Sequence, residues 1–418
     1  MSVGHRERTA LDGHATPQDS DVAVQLLLRL AEQLHRYGAP SHRVEATLVG
    51  LGQMLDLEVS IFCVPTMIEV AVGRGATQRS LMLRVEPGSP DLARLESMLS
   101  VIDGLRSGRL SPRAALDAVN EVADAPRRPR TLLTLAALAG TGAAAATIFR
   151  GGVREIIAAA IICATAGLVA SLLGRHPSRA ALADFLAGAI VTILAGIAAS
   201  VIAPTSVSIV TIASLIVFLP GLGLATAMNE LAMRQLVSGT SRLMGAIMTF
   251  VAIGFGAAIG DRIAKTLVAA PLDAPPLSLP AWCLFPALLV AGASLTVLYR
   301  AHRRDVGWVL LGTMTGFFGA AFGEQLLGPA LGVCVGATLV GLAGNLVARL
   351  RPKPSALLII PGITLLVPGS AGFRGLHALM QNDVVSGIGI ATTAVMVAGS
   401  LVAGLLVANA LLPAPRGL

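Results

Sequence analysis

PGLGLATAMNELAMRQLVSG, residues 220–239, follows a run of apolar residues that reads as the first two-thirds of a membrane span. Proline removes a backbone donor and glycine weakens a helix, so the pair interrupts the span where stranded N–H and C=O groups cost several kcal/mol each. The same punctuation returns at PGSAGFRGLHALMQNDVVSG, residues 368–387. With no gap, Pro220-Gly221 falls on Pro368-Gly369, Leu231 on Leu379, Val237-Ser238-Gly239 on Val385-Ser386-Gly387, and Met248 on Met396, an interval of 148 throughout. Carried backward, the interval pairs Gly188-Ala189 with Gly336-Ala337, Leu194-Ala195-Gly196 with Leu342-Ala343-Gly344, and Pro204 with Pro352. One unit has been written twice.

Composition fixes the solvent. Of 418 residues 54% are hydrophobic and 13% charged, and mean hydropathy is +0.76, values of an integral membrane protein. Gly, Ala, Val and Leu dominate and aromatics supply 4%, as suits helices that approach closely through small side chains. Of the 31 basic residues only Lys265 and Lys353 are lysines, and the arginines cluster at the ends of apolar runs, so the net charge of +7 reads as a topology signal rather than a nucleic-acid surface. Cys63, Cys163, Cys283 and Cys334 are scattered without a C-x-x-C, which argues against a disulfide framework or a metal site.

Residues 1–20 are polar, without the apolar core of a signal peptide, and are expected to form a loose tail. Residues 21–130 read as a small α+β domain. Leu26, Leu27, Leu30, Leu34 and Tyr37 recur at helical spacing up to Gly38; a second helix runs from Pro40-Ser41 to about Leu55; strands are expected over 57–64, 66–72 and 80–85; and Ser89-Pro90 and Ser111-Pro112 open two more helices. Ten spans then fit at 131–149, 154–173, 181–202, 206–226, 242–260, 281–299, 306–323, 328–348, 355–373 and 384–411. With the N-terminal domain in the cytoplasm, Arg127, Arg128, Arg130, Arg175, Arg179, Arg234, Arg242, Arg300, Arg303, Arg304, Arg349, Arg351, Lys353 and Arg416 lie inside, against Arg150, Arg154, Arg262, Lys265 and Arg374 outside. Five spans per unit, 131–270 and 271–418, turn the second unit upside down relative to the first. That inverted repeat is a basis for alternating access in secondary transporters.

Paired breaks expose helix ends that can hold an ion or zwitterion, so Pro220, Gly221, Pro368 and Gly369 are candidate substrate-binding positions; the alternative is a plain kink at the end of a span. Pro361-Gly362 is expected to add a further break. Intramembrane polar residues are costly and mark function. Asn229 and Glu230 follow the first break, Arg374 and His377 the second, with Glu230 able to carry a proton or attract an ammonium and Arg374 a carboxylate, unless both segments are interfacial helices. Asn345, deep in a span, is a further substrate candidate or a link between helices, and Asp184 a second proton-coupling candidate or a charge at a helix start. Arg43 and Glu45, two apart on one helix, point to different neighbours and take structural or gating roles.

YGAPSHRVEATL (37–48), FLPGLGLATAMNEL (218–231) and LLVPGSAGFRGL (365–376) together make the chain resemble the threonine/serine exporter family, over residues 21–411. The resemblance implies a cytoplasmic N-terminal domain fused to two five-span domains in the plasma (bacterial inner) membrane, both termini cytoplasmic, exporting threonine, serine or similar small amino acids on the proton gradient. The family's pattern carries an Arg-Asp pair where this chain has Asn229-Glu230, so the positive member is missing. The expected partners are the amino acid, protons and lipid, with homo-oligomer formation left open; no cofactor, metal or nucleic acid is expected. No G-x-x-x-x-G-K-[ST], H-E-x-x-H or G-x-S-x-G occurs, so an enzyme or ATP-driven pump lacks its motifs. A hydrolase would rest on Cys63 with His42; an uncoupled channel, or a transporter of another small metabolite, differs in needing no pH gradient or another substrate.

Overall fold

A computed structural model describes residues 17–126, 131–174, 179, 182–201, 205–268, 276–351, 353–380 and 383–414. Most of the expected tail, and Arg127, Arg128, Arg130, Arg175, Pro204, Pro352 and Arg416 from the charge and repeat counts, lie outside the described residues.

The first helix, α1 (Pro17–Arg36), buries Leu26, Leu27, Leu30 and Leu34 completely, and Tyr37 just beyond its end is buried with them. It ends where Gly38 adopts φ +89°, a left-handed conformation that L side chains resist. Pro90 packs against that glycine and the Asp91 N–H donates to the Tyr37 carbonyl at 3.3 Å. This holds Ser89 and Pro90 outside the next helix, which is capped instead by Asp91 accepting from the Arg94 N–H at 3.2 Å. Between them lie α2 (Ser41–Met54) and an antiparallel sheet β1 (Val59–Val64), β2 (Met67–Val72) and β3 (Arg79–Arg84), in sequential order with Val64 opposite Met67 and Val72 opposite Arg79. Next come α3 (Leu92–Arg106) and α4 (Pro112–Asp124), the latter capped by Ser111 with Pro112 in its first turn. These elements share one apolar core.

Twelve α-helices follow among the described residues. The first six are α5 (Thr131–Ile148), α6 (Val153–Leu173), α7 (Ala183–Val201), α8 (Val207–Leu215), α9 (Gly221–Ala232) and α10 (Leu236–Leu267). The second six are α11 (Leu284–Leu298), α12 (Val306–Leu327), α13 (Pro329–Leu350), α14 (Ala356–Thr364), α15 (Gly369–Met380) and α16 (Val384–Leu411). Among the described residues nine helical stretches are long and apolar enough to cross a bilayer, which makes the chain a multi-pass membrane protein. The segment expected as a fourth span, 206–226, is not one of them, because Pro220-Gly221 splits it into α8 and α9. The stretch 356–380 bends likewise between α14 and α15.

The interval of 148 residues carries α9 onto α15 residue for residue and the first residue of α10 onto that of α16. Contacts recur with it. A side chain at Gly239 would strike Leu231, and at Gly387 would strike Leu379; α7 packs on α10 as α13 does on α16, and α6 on α8 as α12 on α14. The expected break at Pro361-Gly362 is absent. Helix α14 runs through both residues to Thr364, and the bare Gly362 backbone packs closely on Gly312 and Gly316 of α12, a contact that offsets the local cost of the proline.

Candidate functional site

A cavity of about 1010 Å³ opens between the N-terminal unit and the membrane helices. Pro40, His42, Arg43, Thr47 and Gln53 from the loop and helix of α2 form one wall, Leu222, Ala225, Thr226 and Asn229 of α9 another. Ile359, Ile360 and Ile363 of α14 and Leu405 and Asn409 of α16 complete it. One half of the membrane region therefore supplies α9 and the other supplies α14 and α16. Arg43 and Arg106 are basic, and no acidic residue joins the described lining. Burial pulls the Arg43 guanidinium below its ordinary range, and burial, helped by the neighbouring Arg43 charge, drops His42 to about 4, leaving the imidazole neutral at physiological pH.

The two backbone breaks meet at the centre. A Cβ built on Gly369 would lie 3.5 Å from the Gly221 Cα and 3.4 Å from the Leu219 Cβ. Gly221, Pro368 and Gly369 are buried and Pro220 partly so. None of the four appears in the lining of the cavity, whereas α9, which begins at the first break, contributes Asn229.

Glu230, one residue on, points elsewhere. Fully buried, it accepts from Arg242 Nε at 3.1 and 3.0 Å, from the Ser41 N–H at 3.0 Å and from Ser238 Oγ at 2.7 Å. Arg242 thus supplies the positive member missing beside Asn229-Glu230. Glu230 sits at the N-terminus of α2, where an anion complements the helix dipole. Ser41 Oγ also bonds Ser238 Oγ at 2.8 Å, and Glu45 accepts from the Cys63 N–H at 2.9 Å and from Gln235 Nε2. Burial raises the Glu45 carboxyl against those two bonds. This is one docking point of the N-terminal unit on the membrane helices.

The second lies on the other half. The Leu92 N–H donates to the Tyr299 carbonyl at 2.9 Å, Arg300 pairs with Asp91 at 3.5 Å, and Lys353 Nζ reaches Glu96 at 2.8 Å and the buried Asp305 at 2.6 Å. Arg304 adds a contact to Glu96 at 3.1 Å. The spacing of these residues in sequence gave no sign of this cluster; the charge at each helix end was its only trace.

Other expected residues are dispersed. Asn345 is buried beside the cavity wall, donating to Asn409 Oδ1 at 2.9 Å and the Leu412 carbonyl at 2.8 Å. Asp184 is half-buried and bonded to Thr249. Arg374 is exposed. His377 stacks on Phe373 with ring centroids 5.9 Å apart and does not line the cavity. Cys63 is a core thiol 3.5 Å from His35 rather than His42, pushed up to about 12 chiefly by burial, and so a poor nucleophile.

The repeat interval relates the cavity lining to a packed region among the described residues. Ala225, Ile360, Ile363 and Leu405 line it; their counterparts are Phe373, Ile212, Leu215 and Ala257, which pack together in a closed apolar cluster. Phe373, 2% exposed, fills the space that Ala225 leaves open.

A polytopic helical membrane protein built of two like halves, with a central cavity flanked by broken helices, is the class these features define. Residues 25–264 match the family described as "Putative threonine/serine exporter" and residues 285–411 the family "Threonine/Serine exporter, ThrE". The chain belongs to the threonine/serine exporter family. It is 24% identical over 322 residues to the threonine/serine exporter of Corynebacterium glutamicum, covering 75% of this chain and 66% of that one. It is also 24% identical over 406 residues to a probable threonine/serine exporter of Mycobacterium tuberculosis, covering 92% and 75%. To pheromone-regulated membrane protein 10 of Yarrowia lipolytica it is 24% identical over 84% of its own length but only 30% of the fungal protein's. The chain thus spans under a third of that relative and about half (49%) of a second fungal one. No solved structure matches.

Proposed function

We propose that the chain exports threonine, serine or similar small neutral amino acids across the plasma membrane, driven by the proton gradient, by alternating access between two inverted five-span repeats. The observation that carries this reading is the cavity paired with its closed counterpart. The same helices of the two halves leave room beside Ala225 and none beside Phe373, as a carrier open to one side and shut to the other would.

The docking of the N-terminal unit supports inversion, with α8–α9 counted as the tenth span. In each half the start of the second helix is tied to the start of the fourth: Glu155 accepts from the Ser206 N–H at 3.0 Å, and Asp305 binds Lys353. With each span crossing once, that corner lies on the opposite face from the corner between the fourth and fifth spans. The N-terminal unit touches the first kind of corner in the second half, at Lys353, and the second kind in the first half, at Glu230. A single body on one face meets both only when the halves run oppositely. On this reading the unit and both termini are cytoplasmic and the cavity faces the cytoplasm.

Asn229 and Asn409 offer polar contacts to substrate, Gly221 and Gly369 the meeting point of the halves, and Glu230 and Asp184 are the proposed proton-coupling groups. Efflux of labelled serine and threonine from liposomes holding the purified chain tests the reading. Uphill transport should vanish when the pH gradient is collapsed, and persistence of accumulation would refute coupling. Phe373→Ala, which opens the closed side, should raise gradient-independent leak several-fold; an unchanged leak would count against the gate.

A further inference from the structure

Arg43 differs from the ion-paired cations described above, where the N-terminal unit meets the membrane helices. Arg242 is bonded to Glu230, Arg300 to Asp91, Arg304 to Glu96 and Lys353 to both Glu96 and Asp305. Arg106, the second basic residue of the cavity lining, also has an interaction partner. Arg43 forms no ion pair or hydrogen bond with any described residue, although it is half-buried, faces the cavity and has the carboxylates of Glu45 and Glu230 on nearby elements. Those two acids are already committed, Glu45 to the Cys63 N–H and Gln235, Glu230 to Arg242, Ser41 and Ser238.

A half-buried guanidinium without an anion is costly to keep, and its planar fork matches a carboxylate through two parallel bonds. The same lining, which holds no acid among the described residues, includes the amides of Asn229 on α9 and Asn409 on α16. The Asn229 carbonyl oxygen can accept from an ammonium; that of Asn409 already accepts from Asn345 Nδ2 and keeps a second lone pair for the same purpose. The cavity thus presents a fixed positive group on the N-terminal unit and neutral acceptors on the two membrane halves, the pattern a zwitterion requires.

We propose that Arg43 holds the α-carboxylate of the exported amino acid, so that the N-terminal unit supplies part of the substrate site instead of only covering it. This rests on the exporter reading above. Substrate then bridges three bodies: the N-terminal unit by its carboxylate and both membrane halves by its ammonium.

The test uses the full chain in liposomes and compares L-serine with L-serinamide, which keeps the ammonium and hydroxyl but has no carboxylate. The wild type should transport serine and be inhibited at least tenfold more weakly by serinamide than by unlabelled serine. Arg43→Gln should raise the KM for serine about tenfold or more, the loss expected for a charge-assisted bond, and erase the preference over serinamide. Arg43→Lys keeps the charge without the fork and should fall between. Should Arg43→Gln fail to fold, the narrowed serine-to-serinamide ratio in Arg43→Lys decides. Wild-type KM and preference in the variants would overturn the assignment while leaving the exporter reading intact. A wild-type chain that moves neither serine nor threonine would fell both.

Discussion

The corner between α9 and α10 and the corner between α15 and α16 share a backbone and almost none of their chemistry. In the first, Glu230, Arg242 and Ser238 form a buried polar knot with Ser41 of the N-terminal unit. One interval on, Glu230 becomes Ala378, Arg242 becomes Ile390, and Ser386 merely takes part in a cap, its N–H donating to Asp383 at 3.1 Å. What the helix path needs, the glycine beside a leucine and the Pro-Gly break, recurs at both corners, whereas the ionic knot is found at the corner where the N-terminal unit docks. The ties between second and fourth helices teach the same lesson in reverse. Glu155 holds backbone N–H groups alone in the first half, whereas Asp305 in the second holds Lys353, which reaches across to Glu96.

The sharpest way to break this comparison is Glu230→Ala. It strands the partly buried Arg242 and removes the acceptor from the start of α2, and should cost about 3 kcal/mol, the low end for breaking a buried pair, because Arg242 keeps some access to water. A thermal melt in detergent reads it, and adding Arg242→Leu should return most of the loss. A neutral Glu230→Ala would mean the knot holds nothing. Lys353→Met is the corresponding change on the second half. It leaves Asp305 and Glu96 with the more exposed Arg304 as their remaining shared cation and should cost about 2 kcal/mol, judged from charge-assisted hydrogen bonds. Proteolysis of the N-terminal unit should quicken with it. Arg374→Ala is the smallest. This arginine follows the second break but lies exposed, so the melt should move by no more than about 0.5 kcal/mol, the usual range for surface substitutions. A larger loss would show that the second corner has a charge partner of its own.

Local signals in the sequence gave the helix path well. Helical spacing up to Gly38, serine before proline at α4 and the paired Pro-Gly breaks each act within a few residues, and the 148-residue register follows from them. Partnerships were not legible, because they join distant positions. Ser41 meets Glu230 across 189 residues, and Lys353 meets Glu96 across 257. Arg242 looked like a loop charge because hydropathy placed the span's start at 242, whereas α10 begins at Leu236 and carries the arginine inside its first turns. Pro361 read as a break because its local cost is real; the glycine-to-glycine packing that outweighs it comes from another helix. The same reasoning named Asn229 and Asn345, which lie in or behind the cavity wall, and Arg374, which does not.

Gly221 and Gly369 touch where the two halves are related to one another, with no side chain of either between their backbones. In a rocking carrier that spot is the fulcrum: the arms sweep while the pivot barely travels. On the alternating-access proposal, bulk added there by Gly221→Val or Gly369→Val would wedge the pivot in both positions at once, slowing turnover in either direction.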